Sequence, residues 1–211
     1  SVEEELLLMN FDEKATRWDT DPKKIERAEV VAAAIREQVL LTPATRALEY
    51  GCGTGLLGFA LRSAVGEIVL ADSSEGMLRV VEQKIAAGGF DQVYTVHLDL
   101  SVDPLPNEGF DLICSLMTLH HVPDYKGLLN SFHQLLNPGG YLCIADLDAE
   151  DGSFHGADFD GHRGFDRQEL TRILTGLGFD HISFSTVFEV ERGTEEIPKR
   201  YPVFLMVCRR P

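Results

Sequence analysis

The sequence predicts an α/β fold in which helices cover both faces of a mostly parallel sheet. Five short apolar segments with strand character alternate with segments of helical periodicity, which favours this class. A glycine-rich turn from Gly51 to Gly55 joins the first strand to the next helix, and the following two strands end in Asp72 and Asp99. Ligands bind beyond the carboxyl ends of such strands, so we expect these groups, with Ser115 of the fourth strand, to meet in one crevice.

Residues 1–43 precede the first strand and are predicted to form a helical cap segment. Phe11, Ala15 and Trp18 recur at helical spacing and share one face. This helix either packs on the body of the protein or acts as a lid over a cofactor or substrate. A second helix is expected to begin at Pro22, because proline suits the first turn of a helix.

Residues 44–211 are predicted to form the ligand-binding domain, and the chain as a whole to form a single domain. The predicted strands cover residues 46–50, 67–72, 93–99, 110–117 and 141–145, and two closing strands cover roughly 181–190 and 201–209. The segment 137–140, Asn-Pro-Gly-Gly, is expected to end the helix before the fifth strand. Asp166 with Glu169 is close to a capping box and is expected to begin the last helix.

Residues 146–165 interrupt this alternation of strands and helices. The loop has little periodicity and is rich in acids and histidines: Asp146, Asp148, Glu150, Asp151, Asp158, Asp160, His155 and His162. Long irregular loops in compact domains are usually functional or disordered. The loop is therefore either a solvated connector or a region that attracts a cationic substrate or a metal. The spacing of its acids excludes an EF-hand and is too sparse to indicate a ligand set, so no metal site is predicted.

Composition narrows the class of protein and of partner. The chain of 211 residues is 44% hydrophobic and 25% charged, as in an ordinary soluble globular protein. Its formal net charge is −15 without a Lys/Arg cluster, so a nucleic acid would be repelled. The first residues do not resemble a signal peptide, and no apolar run reaches membrane-spanning length. We therefore expect a cytoplasmic protein, monomeric or homodimeric, with no nucleic-acid or membrane partner.

The four cysteines, Cys52, Cys114, Cys143 and Cys208, are predicted to be free. They form no Cys-x-x-Cys pair, and three of them lie in predicted buried strands. Apolar free cysteines are typical of a cytosolic protein, and a zinc site would need closer ligand spacing.

The glycine turn matches two families of nucleotide-type binding proteins. The string Gly53-x-Gly55-x-x-Gly58 is the dinucleotide fingerprint. The overlapping string that starts at Glu49, Glu-x-Gly-x-Gly-x-Gly, resembles the first motif of class I S-adenosylmethionine-dependent methyltransferases. Asp72 suits the ribose hydroxyls of the ligand in both families, so the turn and this acid do not separate them.

The second half of the chain favours the methyltransferases. The segments 111–122 (DLICSLMTLHHV) and 135–140 (LLNPGG) closely resemble the fourth and fifth motifs of small-molecule class I methyltransferases of the type 11/12 kind. This resemblance spans about Leu48 to Arg209 and implies a Rossmann-like, doubly wound, seven-stranded sheet with a C-terminal antiparallel strand. A NAD(P)-dependent dehydrogenase is less favoured, because the chain has no Tyr-x-x-x-Lys pair and the Pro-Gly-Gly connection is foreign to short-chain dehydrogenases.

The resemblance implies S-adenosyl-L-methionine as cofactor, S-adenosyl-L-homocysteine as product, and a set of cofactor-binding positions. The implied set is Gly51, Cys52 and Gly53 beneath the methionine portion, Asp72 at the ribose, Ser73 and Met77 beside the adenine, Asp99 and Leu100 at the adenine edge, Ser115 and Leu116 near the sulfonium, and Glu49 as the first acid of the motif. Tyr50 and Cys52 are bulkier than the usual occupants of their positions, which affects packing.

The activity implied is methyl transfer by in-line displacement to a small-molecule acceptor. A base is needed only where the acceptor is protonated, and the candidate catalytic residues are His120, His121 and His162, the last with Asp146 on the acidic loop. For each histidine, packing or capping is the alternative role. A cofactor-binding regulatory or partner subunit without catalysis is the alternative function, because the motifs encode binding. The sequence does not indicate the identity of the methyl acceptor, because the acceptor pocket would be built from the N-terminal segment and the loop 146–165.

Overall fold

The computed structural model describes residue 11 and residues 14–193 and 197–211. Residues 1–10, 12–13 and 194–196 lie outside them, and the last three belong to the predicted loop between the closing strands. Seven strands form a mixed sheet, which confirms the predicted fold class. The chain divides into two compact units, residues 1–104 and 105–211, each with its own part of the strand ladder.

The first unit holds three parallel strands in the order β3-β2-β1. Its elements are a helical stretch at residues 14–18, α1 (Pro22–Gln38), β1 (Arg46–Tyr50), α2 (Leu56–Leu61) with a 3-10 turn (Arg62–Ala64), β2 (Glu67–Asp72), α3 (Glu75–Gly88) and β3 (Val93–His97). In the register, Leu48 lies opposite Val69, which lies opposite Tyr94. The strands β1 and β2 are apolar and mostly buried, as expected for parallel strands covered on both faces.

The helix starts of the first unit follow capping rules. Pro22 is the first residue of α1, and the Asp21 carboxylate accepts a bond from the Lys23 amide at 3.0 Å. The Ser74 hydroxyl accepts from the Met77 amide at 3.1 Å and so begins α3 directly after β2. The prediction for Pro22 is confirmed.

The second unit holds four strands in the order β4-β5-β7-β6. Its elements are β4 (Phe110–Leu116), a 3-10 turn (Leu119–His121), α4 (Tyr125–Leu135), β5 (Leu136–Leu147), α5 (Arg167–Gly176), β6 (Asp180–Gly193) and β7 (Pro198–Arg209). The pair β4 and β5 is parallel, whereas β7 runs antiparallel to both β5 and β6, as the resemblance implied. Asp166 caps α5 through a 2.8 Å bond from the Glu169 amide, which confirms the predicted start of that helix.

Several strand boundaries differ from the prediction for local reasons. The fourth strand ends at Leu116, because Met117 has a positive φ of 55°. The third strand ends at His97, so Asp99 lies two residues beyond it. The fifth strand begins at Leu136 and includes the Pro-Gly-Gly segment, where its register with β4 shifts. The closing strands are longer than predicted, so the hairpin loop between them is shorter.

The core consists of the apolar strand residues and the helix faces packed on them. Among its fully buried members are Ile35, Leu48, Leu57, Ile68, Leu70, Leu112, Ile113, Phe132 and Phe204. All four cysteines are free and buried, as predicted. Within the described part of the chain, no helix is both long and apolar enough to traverse a bilayer.

Gly58 allows α2 to pack closely against the strands of the first unit. A Cβ at this position would lie 2.2 Å from Leu70 Cδ2 and 2.7 Å from Glu49 Oε2. We expect Gly58→Ala to lower the free energy of unfolding by about 1–3 kcal/mol, because this overpacking must move a strand residue. The change in the free energy of unfolding is measured by chemical denaturation monitored by circular dichroism.

The matched control is Gly176→Ala at the end of α5, where an added Cβ meets nothing within 4 Å. This substitution is expected to be neutral or stabilising by up to about 1 kcal/mol. Equal stability of both variants would contradict the packing role of Gly58.

Candidate functional site

The glycine turn after β1 combines positive φ angles with an open backbone. Gly51, Gly53 and Gly55 have φ values of 68°, 54° and 78°, a region that residues with a Cβ rarely adopt. A Cβ added to Gly53 would have Trp18 Nε1, at 4.0 Å, as its nearest neighbour, so a ligand can approach this backbone closely. A Cβ on Gly55 would instead lie 2.9 Å from Leu70 Cδ1, so Gly55 serves packing.

Asp72 at the end of β2 is bonded directly to this turn. Its Oδ2 accepts from the Gly53 amide at 2.7 Å, and its Oδ1 accepts from the Ser74 amide at 2.9 Å. Burial raises the pKa of the Asp72 carboxyl, while the bonds from Ser74 and Gly53 oppose that rise. A carboxylate offers about four lone-pair positions, so two remain for a pair of ligand hydroxyls.

The two residues expected beside the adenine lie just after Asp72. Ser73 is partly exposed at the start of the turn into α3, and its carbonyl is 3.0 Å from His97 Nε2. Met77, in the first turn of α3, is only 2% exposed. The turn, Asp72 and the start of α3 therefore form one contiguous region of the first unit.

Glu49 contacts the helix after the turn. Its side chain is 2% exposed, and its Oε2 accepts from the Gly58 amide at 2.7 Å. Burial raises the pKa of Glu49 to about 8, and the Gly58 bond only partly opposes this. In the structure Glu49 joins the end of β1 to the first turn of α2, which gives it a role in shaping the turn.

Tyr50 links the glycine turn to the loop after β3, a contact that the sequence did not indicate. Its hydroxyl accepts from the Leu100 amide at 3.0 Å, and burial raises the pKa of the phenol to about 12. Asp99, next to Leu100, accepts from the Ser101 amide at 2.9 Å and from the Ser101 hydroxyl at 2.5 Å through Oδ1. Both predicted adenine-edge residues therefore lie in a loop that Tyr50 ties to β1.

The segment before α1 is fastened to the glycine turn by a small polar network. Asp19 Oδ2 is 2.7 Å from Lys84 Nζ, which also donates to the Thr54 carbonyl at 2.8 Å. The Thr54 hydroxyl donates to Asp19 Oδ1. These bonds hold Trp18 beside Gly53, so the helical stretch both packs on the body and flanks the open backbone.

In the second unit, the end of β4 leads into a histidine-bearing turn. Ser115 is 2% exposed, Leu116 is partly exposed, and the Met117 amide donates to the Ala145 carbonyl at 2.8 Å. The following 3-10 turn carries His120 and His121. The predicted cofactor-binding residues Ser115 and Leu116 therefore lie in the same short segment as two of the candidate histidines.

His120 is held by a buried carboxylate. Asp146, at the end of β5, is fully buried, and its Oδ1 accepts from His120 Nδ1 at 2.7 Å. The same carboxylate accepts from the backbone amides of Leu147 at 2.7 Å and of His120 at 3.2 Å. Because the carboxylate is the acceptor, Nδ1 of His120 carries the proton and Nε2 offers a lone pair in the neutral ring.

His155 completes the histidine cluster, which we define as His120, His121 and His155. His155 Nε2 is 3.1 Å from His120 Nε2, although the residues are 35 positions apart. Its ring stacks on Phe159, with centroids 4.0 Å apart and an angle of 24°. Partial burial and repulsion from His120 lower the pKa of His155 to about 4, so its ring is neutral near pH 7. The sequence displays His155 only as one of several polar loop residues.

His162 lies outside this cluster and holds the loop. Its backbone amide donates to the His120 carbonyl at 2.8 Å. Its ring nitrogen Nε2 lies 3.0 Å from the Val122 carbonyl and 3.1 Å from that of Pro123, and the ring packs edge-on against Tyr125. These contacts favour a structural role for His162.

Most acids of the loop 146–165 bind groups of the chain itself. Asp148 forms two 2.7 Å bonds with Arg167, and Glu150 accepts from the Gly152 and Phe154 amides at 2.7 and 3.1 Å. Asp151 pairs with Lys199 at 2.5 Å. These bonds favour the connector interpretation for the acids, whereas His155 of the same loop joins the histidine cluster.

Comparison with known proteins adds the observation that decides the family: a family model described as a methyltransferase domain matches residues 21–184. The chain belongs to this methyltransferase family. The matched range includes the glycine turn, Asp72, both histidines of the 3-10 turn and the whole acidic loop.

Curated relatives of this methyltransferase align with part of it. Demethylmenaquinone methyltransferase from Geobacillus kaustophilus (strain HTA426) is 40% identical over 103 residues, which cover 47% of this chain and 44% of the relative. The protein of the same name from Bacillus subtilis (strain 168) is 36% identical over 118 residues, 54% of this chain and 51% of the relative. The chain thus spans about half the length of the curated relatives it matches.

Solved structures share the fold of this methyltransferase. A SAM-dependent methyltransferase from Aquifex aeolicus superposes with a TM-score of 0.69 at 21% identity, covering 95% of this chain and 98% of that one. The DhpI–SAH complex superposes with a TM-score of 0.73 at 22% identity, covering 97% and 94%. At these identities the likeness concerns the fold, and it agrees with the predicted class.

S-adenosylmethionine is the cofactor of this methyltransferase, as the resemblance implied. Two observations in the first unit fit it. The backbone at Gly53 is open on the side where a Cβ would project, and the Asp72 carboxylate is oriented by two backbone amides with acceptor positions to spare. When bound, the cofactor supplies an activated methyl group.

The raised pKa of Glu49 predicts an unusual dependence of the protein's stability on pH. Its pKa is about 8 in the folded state and 4.5 ordinarily, so the folded state binds the additional proton between these values. Stability is therefore expected to fall as pH rises from 4.5 towards 8. Glu49→Gln, which is neutral throughout, should gain stability relative to the wild type between pH 5 and pH 8, measured by urea denaturation.

The matched control is Glu75→Gln, an exposed acid at the start of α3. Its stability relative to the wild type should hardly change over the same pH range. A difference in free energy of unfolding between Glu49→Gln and the wild type that stays constant with pH would contradict the raised pKa of Glu49.

Asp72→Asn is expected to weaken binding of S-adenosylhomocysteine at least tenfold, or by about 1.4 kcal/mol, because charge-assisted bonds to ribose hydroxyls are lost. Calorimetric titration measures this, with circular dichroism as a check on folding. Glu75→Gln, which removes one negative charge at the start of α3, should bind S-adenosylhomocysteine with the affinity of the wild type. Wild-type affinity in Asp72→Asn would contradict the ribose assignment.

Proposed function

We propose that this methyltransferase transfers the methyl group of S-adenosylmethionine to a small-molecule acceptor that lies against the histidine cluster. One observation carries the proposal: a fully buried aspartate, Asp146, fixes the proton of His120 on Nδ1, so that the lone pair lies on Nε2, where an acceptor hydroxyl would replace the contact with His155 Nε2. An imidazole oriented by a carboxylate is a group that can accept a proton from an acceptor hydroxyl.

The first unit would bind and orient the cofactor. Glu49 and Gly58 hold the glycine turn, Asp72 would accept the ribose hydroxyls, and the loop at Leu100, tied by Tyr50, would border the adenine. Trp18 would cover the turn and exclude water. Alignment and exclusion of water are the main contributions that a protein makes to a displacement at an already activated methyl group.

The acceptor that fits best is planar, apolar and hydroxylated. Aromatic rings surround the cluster. The ring centroid of Phe154 lies 4.7 Å from that of His155, and the ring centroid of Phe159 lies 5.5 Å from that of His121 in an edge-on arrangement. The relatives named for demethylmenaquinone support a quinone- or phenol-like ring. The net charge of −15 argues against a nucleic-acid acceptor.

The three candidate histidines would have different roles. His120 would accept the proton, and His121 would border the acceptor from the same 3-10 turn. His162 would position the loop, because its amide and its ring bind backbone carbonyls near the cluster.

The experiment is a mass-spectrometric screen of phenols, hydroquinones, amines and thiols with S-adenosylmethionine, scored by a methylated product. With a responsive phenol, Asp146→Asn and His120→Gln are each expected to lower kcat by about 10²–10⁴ because the oriented proton acceptor is lost. Calorimetry with S-adenosylhomocysteine verifies that each variant still folds and binds the cofactor.

His162→Gln is the control and should keep kcat within about tenfold of the wild type. Full activity of His120→Gln would contradict the assigned proton acceptor. Cofactor binding without transfer to any acceptor class would instead favour the alternative function, a non-catalytic S-adenosylmethionine-binding subunit.

A further inference from the structure

The histidine cluster has the spacing of a metal-ligand set. One ring nitrogen of each of the three histidines lies within 4.8 Å of those of the other two. For tetrahedral Zn²⁺ with Zn–N bonds of about 2.0–2.1 Å, neighbouring nitrogens are about 3.3 Å apart. The Nε2 atoms of His120 and His155 are already 3.1 Å apart. Small side-chain rotations would bring the third nitrogen to the same spacing, because all three nitrogens lie within 4.8 Å of one another.

The carboxylate behind His120 is the partner that metal-bound histidines usually have. Asp146 Oδ1 lies 2.7 Å from His120 Nδ1, on the side of the ring away from His155. Such a carboxylate fixes the tautomer, aims the second ring nitrogen at the metal and increases its basicity. Asp146 is fully buried, so its negative charge is available to stabilise a cation that enters beside His120.

The surroundings suit binding of a cation from solvent. His120 is buried, His121 is partly exposed and His155 is exposed, so an ion can reach the cluster from the side of His155. Phe154 and Phe159 provide an apolar shell around the exposed imidazole.

The choice of metal follows from the donors. Three imidazoles without a thiolate suit Zn²⁺, Cu²⁺ or Ni²⁺, whereas Mg²⁺ and Ca²⁺ require oxygen ligands. Three protein ligands with one open position are typical of zinc sites that bind water or substrate. Within the part of the chain that the structure describes, no second group of three such donors is this close.

We propose that His120, His121 and His155 together bind one Zn²⁺ ion, with Asp146 as the hydrogen-bonded partner of His120 and a fourth position open to water or an acceptor oxygen. The inference deepens the proposed function, because the metal and an acceptor proton would use the same lone pair on His120. The zinc-bound and proton-accepting forms of the site are therefore alternatives.

The test is calorimetric titration of ZnCl₂ into the full chain after dialysis against EDTA, without cofactor or acceptor. One ion per chain with a Kd in the micromolar range or tighter is expected. His155→Asn, at an exposed position that does not endanger folding, should weaken binding at least tenfold. Titration with CoCl₂ should give the visible absorption of a four-coordinate ion in the wild type and lose it in this variant.

His181→Asn is the matched control, because the His181 ring is exposed and its Nδ1 pairs with Asp180 at 2.8 Å, and this variant should bind zinc as the wild type does. Absence of binding, or equal affinity of the wild type and His155→Asn, would overturn the site. Since neither cofactor nor acceptor enters the titration, a failure here leaves the proposed methyl transfer standing. A failure of the methyl-transfer screen likewise leaves the zinc titration interpretable.

Discussion

The bond between the Asp72 carboxylate and the Gly53 amide is the interaction on which the conformation of the glycine turn depends. It joins the end of one strand to the turn that follows its neighbour, at 2.7 Å, and so fixes a turn in which three glycines have positive φ angles. Burial raises the pKa of Asp72, and the amides that bind its carboxylate offset this rise only in part. The same two bonds orient the carboxylate, so the stability of the turn and the orientation of the Asp72 carboxylate share one cause.

A similar arrangement occurs in the second unit, where Asp146 organises the histidine cluster. Its oxygens bind the ring and the amide of His120, and the loop that carries His155 returns to the His120 carbonyl through the His162 amide. A buried acid at a strand end thus fixes the ring of His120, against which the loop places His155. The acids that seemed on sequence grounds to be candidates for attracting a cation mostly stabilise the loop itself.

Much of the fold follows from local patterns. The apolar runs, Pro22 at a helix start and the Asp166 cap predicted their elements, because each depends on neighbours within a few positions. The boundaries failed where a distant partner or a special backbone angle intervened, as at Met117 and in the Pro-Gly-Gly part of β5. The other contacts of the candidate site depend on loop conformation. The Tyr50 hydroxyl binds the Leu100 amide, and His155 approaches His120. Neither contact has a sequence signal, because each joins residues dozens of positions apart.

Trp18 is the single tryptophan of the chain and lies beside the open backbone at Gly53, with the ammonium of Lys24 3.2 Å from its ring centre. With the cofactor on the Gly53 backbone, as proposed, the adenosyl ligand would change the surroundings of this indole. Trp18 would then act as an intrinsic fluorophore whose emission reports occupancy of the turn, without a label and without knowledge of the acceptor.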